Sequence, residues 1–230
     1  MGTDRLVVVG DRFEEFLANP GTIAASRLRA DKLGERELVA GQGLSGRLLA
    51  ELAKHWDVPV PARRELTHKR SAENVLIGEP SPVDGVWTAP LVLDERNEVL
   101  ADHITGQHVP AVALIEAARQ MWTAVTELRY PPDGPSRFVI EQLRSRFDTF
   151  VFPLPATVRY RLIAHEQGPV GQRFHASLAI SQRGVVAAEF DVNYRVIAGK
   201  LSAKQEAMAA RQALTEVRST SDSVMEESRS

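Results

Sequence analysis

The 230-residue sequence has no cysteine. Disulfides, thiolate nucleophiles and cysteine-ligated metals are therefore excluded, and a reducing compartment is expected. No apolar run approaches the roughly 20 residues of a membrane span. The first residues lack a basic-then-apolar secretory pattern, and Leu6 stands where a myristoylation signal needs Ser or Thr. The expectation is a cytoplasmic protein without a membrane partner. An excess of one charge is missing too: 28 Lys and Arg face 30 Asp and Glu, a net charge of -2. Nothing electrostatic calls for nucleic acid. Internal repeats are absent. What is present, 43% hydrophobic and 25% charged residues, is the balance of an ordinary globular chain.

The chain divides into three regions. Residues 1–62 read as a small α/β extension. Leu6 to Val9 is a strand, and Asp11, with Glu14 three residues on, caps a helix that Asn19-Pro20-Gly21 stops. A second strand runs through Glu37 to Ala40, a helix from Ser45 to His55, and Val58-Pro59-Val60-Pro61 is extended. Residues 63–198 read as the main domain. Leu66 to Ile77 and Val86 to Leu93 are strand-like, and Val109 to Tyr130 is one long helix stopped by Pro131-Pro132. Phe138 to Ile140 and Leu143 to Val151 alternate out of phase, which predicts a bulge near Glu141 to Leu143. Three alternating rows follow, Val158 to Ala164, Phe174 to Ile180 and Val186 to Tyr194, joined by hairpin turns. Residues 199–230 hold a helix capped by Ser202, reaching about Arg218, and a polar tail expected to be disordered. Trp87, Trp122 and Phe147 are read as core.

The long helix decides the architecture. From Val109 to Ala118 it is apolar on almost every side, so it is expected to be buried. A buried helix with antiparallel strands before and after it can be wrapped by a curved sheet. The expected fold class is α+β, a hotdog fold with an N-terminal α/β extension and a C-terminal helix. Two such sheets joined edge to edge in a homodimer would cover the open strand.

Glu116 interrupts the apolar stretch. With Gln120, Thr123 and Glu127 it makes a polar line along the helix, with Arg119 three residues away. Residue types alone favour a solvated face with Glu116 paired to Arg119. The segment Asp102-His103-Ile104-Thr105-Gly106-Gln107-His108 shifts that balance. It sets two histidines and a glycine before a helix N-terminus, where free N–H groups attract negative charge. Such a site could hold a carbonyl oxygen as it becomes an oxyanion, with His103 and Glu116 sharing proton transfer. A merely polar loop fits equally well. The histidine spacing matches no standard zinc motif, so no metal is expected, and no cofactor is implied. Gly41-Gln42-Gly43-Leu44-Ser45-Gly46 has the glycine spacing of a dinucleotide loop. It leads through a helix into a proline-broken segment, and is read as a loop and helix cap. His68, Lys69 and Arg70 lie on the presumed strand, where they could meet a phosphate or an acidic carrier protein. A solvated edge strand is the alternative. Arg144 and Arg146 invite the same two readings.

Asp102 to Pro110, running into Leu114-Ile115-Glu116-Ala117-Ala118-Arg119-Gln120, resembles the signature of the A-factor biosynthesis hotdog family. Leu66-Thr67-His68-Lys69-Arg70-Ser71 with Asn74-Val75-Leu76 is similar to that family's opening strand. The resemblance covers roughly residues 63–197. It implies γ-butyrolactone-type signal or specialised-metabolite biosynthesis, in which a β-ketoacyl thioester on an acyl carrier protein is joined to the hydroxyl of dihydroxyacetone phosphate. His103, Gly106, Glu116, Ala117 and Gln120 are also more distantly similar to the hydroxyacyl carrier-protein dehydratases. Ala111 stands where the first family usually has Gly, and one repeat is present where its characterised synthases have two. The expected function is therefore acyl transfer from a carrier-protein or CoA thioester to a small phosphate-bearing acceptor. Glu116 and His103 would be catalytic. Gly106, His108, Val109, Arg119, Gln120, His68, Lys69 and Arg70 would bind substrate. The alternatives are a dehydratase, a thioesterase, or a non-catalytic acyl- or lactone-binding or scaffold protein.

Overall fold

The computed structural model describes residues 5–29, 37–98, 105–132 and 134–227, with side chains as far as Val217. The N-terminal region forms a parallel sheet of β1 (Arg5–Val9), β2 (Thr22–Ala24) and β3 (Glu37–Ala40), in the order β2-β1-β3. Helix α1 (Gly46–Leu52) follows, capped by the Ser45 hydroxyl, which accepts from the Leu48 N–H. Strand β2 was not foreseen, being too short to show a period. The helix expected after Asp11 is replaced by turns and one short 3-10 segment at Phe16–Ala18. Asp11 spends its carboxylate elsewhere: it accepts from the Ser26 N–H at 3.0 Å and from the Ser26 hydroxyl.

The main sheet is antiparallel in the order β4-β5-β7-β8-β9-β6. Its strands are β4 (Ser81–Val83), β5 (Val86–Pro90), β6 (Ser136–Phe147), β7 (Thr157–Gly168), β8 (Gly171–Gln182) and β9 (Val185–Ala198). The expected bulge in β6 lies between Ile140 and Gln142. Two more register shifts, in the β7–β8 and β8–β9 pairs, add to the bend of the sheet. Helix α2 (Ala111–Arg129) packs on the face carrying Val158, Tyr160, Phe174, Ile180, Val192 and Tyr194. This is the hotdog arrangement. Helix α3 (Gly199–Glu227) ends the described chain, longer than its cap at Ser202 and stop near Arg218 predict. No helix among the described residues is long and apolar enough to cross a membrane.

Beneath α2 the Thr126 hydroxyl meets the Tyr194 hydroxyl at 2.8 Å, and Tyr194 meets Tyr160 at 3.3 Å. Burial pushes Tyr194 up to about 12 and Tyr160 above the ordinary tyrosine range. Both hydroxyls therefore stay protonated and act as hydrogen-bonding struts.

Two expectations about α2 and its surroundings need correcting. The helix is not buried all round: Ala111 and Val112 are exposed and Ile115, Glu116 and Arg119 half-buried, which leaves one open strip on its N-terminal half. Phe147 is 41% exposed rather than core, because it ends β6, an edge strand whose single neighbour is β9. Trp122 is core as expected, and Trp87 is half-buried against it.

The glycine-rich loop after β3 is a joint between the two regions. The Gln42 amide, 1% exposed, donates to the Leu91 and Leu154 carbonyls, both at 3.1 Å, and accepts from the Leu93 N–H at 3.0 Å. A Cβ on Gly41 would lie 2.4 Å from the Pro153 carbonyl oxygen. The ends of the parallel strands, where a dinucleotide would lie in a doubly wound sheet, are thus filled by the main domain's own backbone.

Candidate functional site

The open strip of α2 faces the segment Leu66–Ile77. That segment is not a strand. It turns at Arg64–Lys69, with His68 in the left-handed region at φ +56°, passes a short 3-10 segment at Ala72–Asn74, and only bridges the sheet at Ile77. The reason lies in where its polar groups go. Gln120, fully buried, accepts from the Leu76 N–H at 2.8 Å and donates to the Asn74 carbonyl at 2.8 Å. His68 meets Glu127 at 2.9 Å. Side chains of the helix take the hydrogen bonds that a neighbouring strand would otherwise supply.

Glu116 is the centre of this seam. Arg119 donates to it twice, Nε to Oε2 at 2.7 Å and Nη2 to Oε1 at 2.9 Å. The Lys69 ammonium lies 2.5 Å from Oε1, and the Gln120 amide donates to the same oxygen at 3.0 Å. The Glu116 side chain is 20% exposed. Burial is the largest influence and would raise its pKa, but hydrogen bonds and charge from Arg119, then Lys69 and Gln120, outweigh it and hold the carboxyl down at about 2. Four of the expected residues, Glu116, Arg119, Gln120 and Lys69, thus form one constellation. His68 pairs three turns further along the helix. Arg70 is exposed, and its carbonyl accepts from Arg64 Nη1 at 3.0 Å.

The loop leading into α2 forms a second, separate locus. His103 lies outside the described residues. Gly106 adopts φ +78°, and its carbonyl accepts from the Phe16 N–H at 3.0 Å, which fastens the N-terminal region to this loop. The Thr105 hydroxyl accepts from the Gln107 and His108 N–H groups at 3.3 and 3.2 Å and meets His108 Nδ1 at 3.0 Å. The His108 ring lies against Phe150, with centroids 4.6 Å apart. Val109 is core, and its N–H donates to the Val151 carbonyl at 2.7 Å. Helix α2 has no side-chain cap, so the N–H groups at exposed Ala111 and Val112 are the ones left for a ligand. Among the described residues, the Glu116 carboxylate takes its partners from Arg119, Gln120 and Lys69 and none from Thr105–Val109.

Sequence reasoning missed Lys69 as a partner of Glu116, because a strand would have pointed it independently of the helix. On the opposite face of the sheet, a cavity of about 510 Å³ is lined by Arg144 and Arg146, which the sequence singled out, and by Arg159, Arg161, Ser177, Glu189 and Asp191, which it did not. Arg146 pairs with Asp148 and Glu189. Among the described residues no group of three or more His, Asp or Glu could hold a metal ion.

A family model described as the A-factor biosynthesis hotdog domain matches residues 52–198. Solved structures similar to the chain include a candidate thioesterase from Shewanella oneidensis, 16% identical over 59% of this chain and 94% of that one, TM-score 0.44. A mutant thioesterase from Pseudomonas aeruginosa is 14% identical over 67% and 94%, TM-score 0.42. A candidate thioesterase related to phenylacetic acid degradation, from Ralstonia eutropha, is 16% identical over 64% and 98%, TM-score 0.38. No curated protein matches the chain.

Proposed function

Because the chain belongs to the A-factor biosynthesis hotdog domain family, we propose that it transfers an acyl group from a carrier-protein or CoA thioester to a small hydroxylated acceptor bearing a phosphate. The setting is γ-butyrolactone-type signal or specialised-metabolite biosynthesis in the cytoplasm. One observation carries the reading: the ionised carboxylate of Glu116, gripped by Lys69 and Arg119 on the open strip of the N-terminal half of α2. The acyl chain lies along Val112 and Ile115, and the free N–H groups at the start of α2 polarise its carbonyl. Gly106, His108 and Val109 shape that end of the strip, and His68 and Arg70 flank the phosphate. Glu116, assisted by His103, takes the proton of the acceptor hydroxyl as its oxygen bonds to the thioester carbon. When the carbon–sulfur bond breaks, the proton passes to the departing thiol.

A second copy of the chain completes the site. What supports this is β6, twelve residues long with one neighbour and with Ile140, Phe147 and, just beyond, Phe150 exposed. An edge of that kind is open to pairing. The alternative that Glu116 is only a structural clasp has its own support in the low pKa. It predicts loss of stability without loss of acyl chemistry in Glu116 variants.

The test is intact-mass analysis of acyl carrier proteins incubated with the chain, with and without dihydroxyacetone phosphate. Acyl mass lost only with the acceptor is the expected result. Loss without it means hydrolysis, loss of one water means dehydration, and no change means a binder; each of these overturns acyl transfer.

A further inference from the structure

The Glu116 cluster holds one more cation than anion. Lys69 and Arg119 both end on this carboxylate, and no second acid joins them among the described residues. Their side chains are only 23% and 27% exposed, and positive charge withdrawn from water in this way favours a counter-ion. The groups facing Glu116 are Arg119 and Gln120 from the helix and Lys69 from the segment above; the Thr123 hydroxyl and the Thr67 carbonyl face Arg119. His68 and Glu127 satisfy one another further along.

We propose that the surplus charge is an anion site: an oxyanion of the substrate, the acceptor's phosphate ester, binds by drawing Lys69 and Arg119 off Glu116, which becomes a base only once the anion is in place. The proposal rests on the reading of Glu116 as proton acceptor and adds the condition under which it works.

The geometry permits the exchange. Lys69 has Glu116 as its one polar partner among the described residues, on a flexible four-carbon stem. Arg119 is otherwise held only at the edge of hydrogen-bond range, 3.4 Å from the Thr67 carbonyl and 3.5 Å from the Thr123 hydroxyl. Both can swing without breaking a helix or ladder bond. Gln120 cannot, since its amide is clipped to Leu76 and Asn74. With the cations gone, Glu116 keeps one neutral donor in a mostly dry site, and burial, which opposes ionisation, then governs it. A base is most effective with a pKa near the working pH. Clamped, Glu116 is far too acidic to activate water, so the thioester is spared until the acceptor arrives.

Calorimetric titration of the full chain with sulfate tests this. Sulfate has no titrating proton in the working range, so any proton exchanged belongs to the protein. Titrations at pH 5 to 7 in buffers of different ionisation enthalpy should show binding with net proton uptake, larger at the lower pH. Glu116→Gln should bind sulfate at least as well with no uptake. Lys69→Met and Arg119→Met should each weaken binding about tenfold, the size of one charge-assisted hydrogen bond. Lys69→Met should also shrink the uptake, one clamp being already lost, and this carries the test should Glu116→Gln fail to fold. Arg159→Ala with Arg161→Ala should change nothing; loss of binding there would assign the anion to the opposite face and overturn the proposal. Binding without uptake, or no binding at millimolar sulfate, also overturns it. If uptake fails while acceptor-dependent acyl transfer proceeds, the switch falls and the function stands. If uptake is seen without acyl chemistry, the anion site stands and the function falls.

Discussion

Gln42 and Gln120 occupy matching positions in the two halves of the molecule. Both are buried, at 1% and 0% exposure. Each uses its amide oxygen to accept one main-chain N–H and its amide nitrogen to donate to two acceptors. The difference is in the second acceptor. For Gln42 it is another main-chain carbonyl, so the joint is neutral, closed and complete. For Gln120 it is Glu116, which brings two cations and a path to solvent. A buried amide therefore marks a clip wherever it occurs. It marks a site only where the clip hands one of its hydrogen bonds to a group that can change its charge.

The contrast can be broken from either side. The largest effect expected is for Glu116→Gln, at least about a hundredfold loss of acyl-transfer turnover, the scale of general acid–base catalysis, with ligand binding little changed. Unaltered turnover in the acceptor-dependent assay would make the two glutamines equivalent. Gln42→Ala should remove about 3 kcal/mol of stability in urea unfolding, since it orphans the Leu91 and Leu154 carbonyls and the Leu93 N–H. Turnover per folded molecule should stay the same, and limited proteolysis should release the N-terminal region first. Gly41→Ala should do likewise, because its Cβ meets main chain at 2.4 Å.

Acid sharpens the comparison. The Glu116 pKa is depressed to about 2 in the folded chain, so the stability it contributes is complete above the ordinary carboxylate range. That contribution is lost as pH falls from about 4.5 towards 2. Melting temperature against pH should therefore drop more steeply in the parent than in Glu116→Gln over that window, whereas Gln42→Ala should lower the curve without changing its shape. The smallest effect expected is for His68→Gln, within about 1 kcal/mol by urea unfolding, as for other partly exposed ion pairs.

Most of the sheet was legible in the sequence because alternation is read directly from side chains. The out-of-phase rows in Phe138–Val151 located the bulge, and Pro131-Pro132 located the end of α2. Glu116 stood out as an acid in an apolar run. What the pattern misreports is a segment whose apolar ends are buried but whose main chain is satisfied from elsewhere. Leu66, Leu76 and Ile77 are buried as a strand's would be, yet Gln120 takes the Leu76 N–H and the Asn74 carbonyl, and that depends on a residue 44 positions beyond Leu76. The helix expected after Asp11 failed similarly, since its capping carboxylate was taken by Ser26, fifteen residues on. In Gly41–Gly46 the glycines met main chain rather than a ligand, a distinction their spacing does not encode.

The segment above α2 is fastened by buttons and not by a seam. Strand pairing fixes a length and a register along its whole run, so altering one residue disturbs its neighbours. Here each fastening to the helix is a separate side chain, Gln120 at one place, Glu116 at another and Glu127 at a third. Single substitutions can loosen, shift or re-cut this cover while the frame keeps its shape, so relatives sharing the frame are free to differ most in what they admit beneath it.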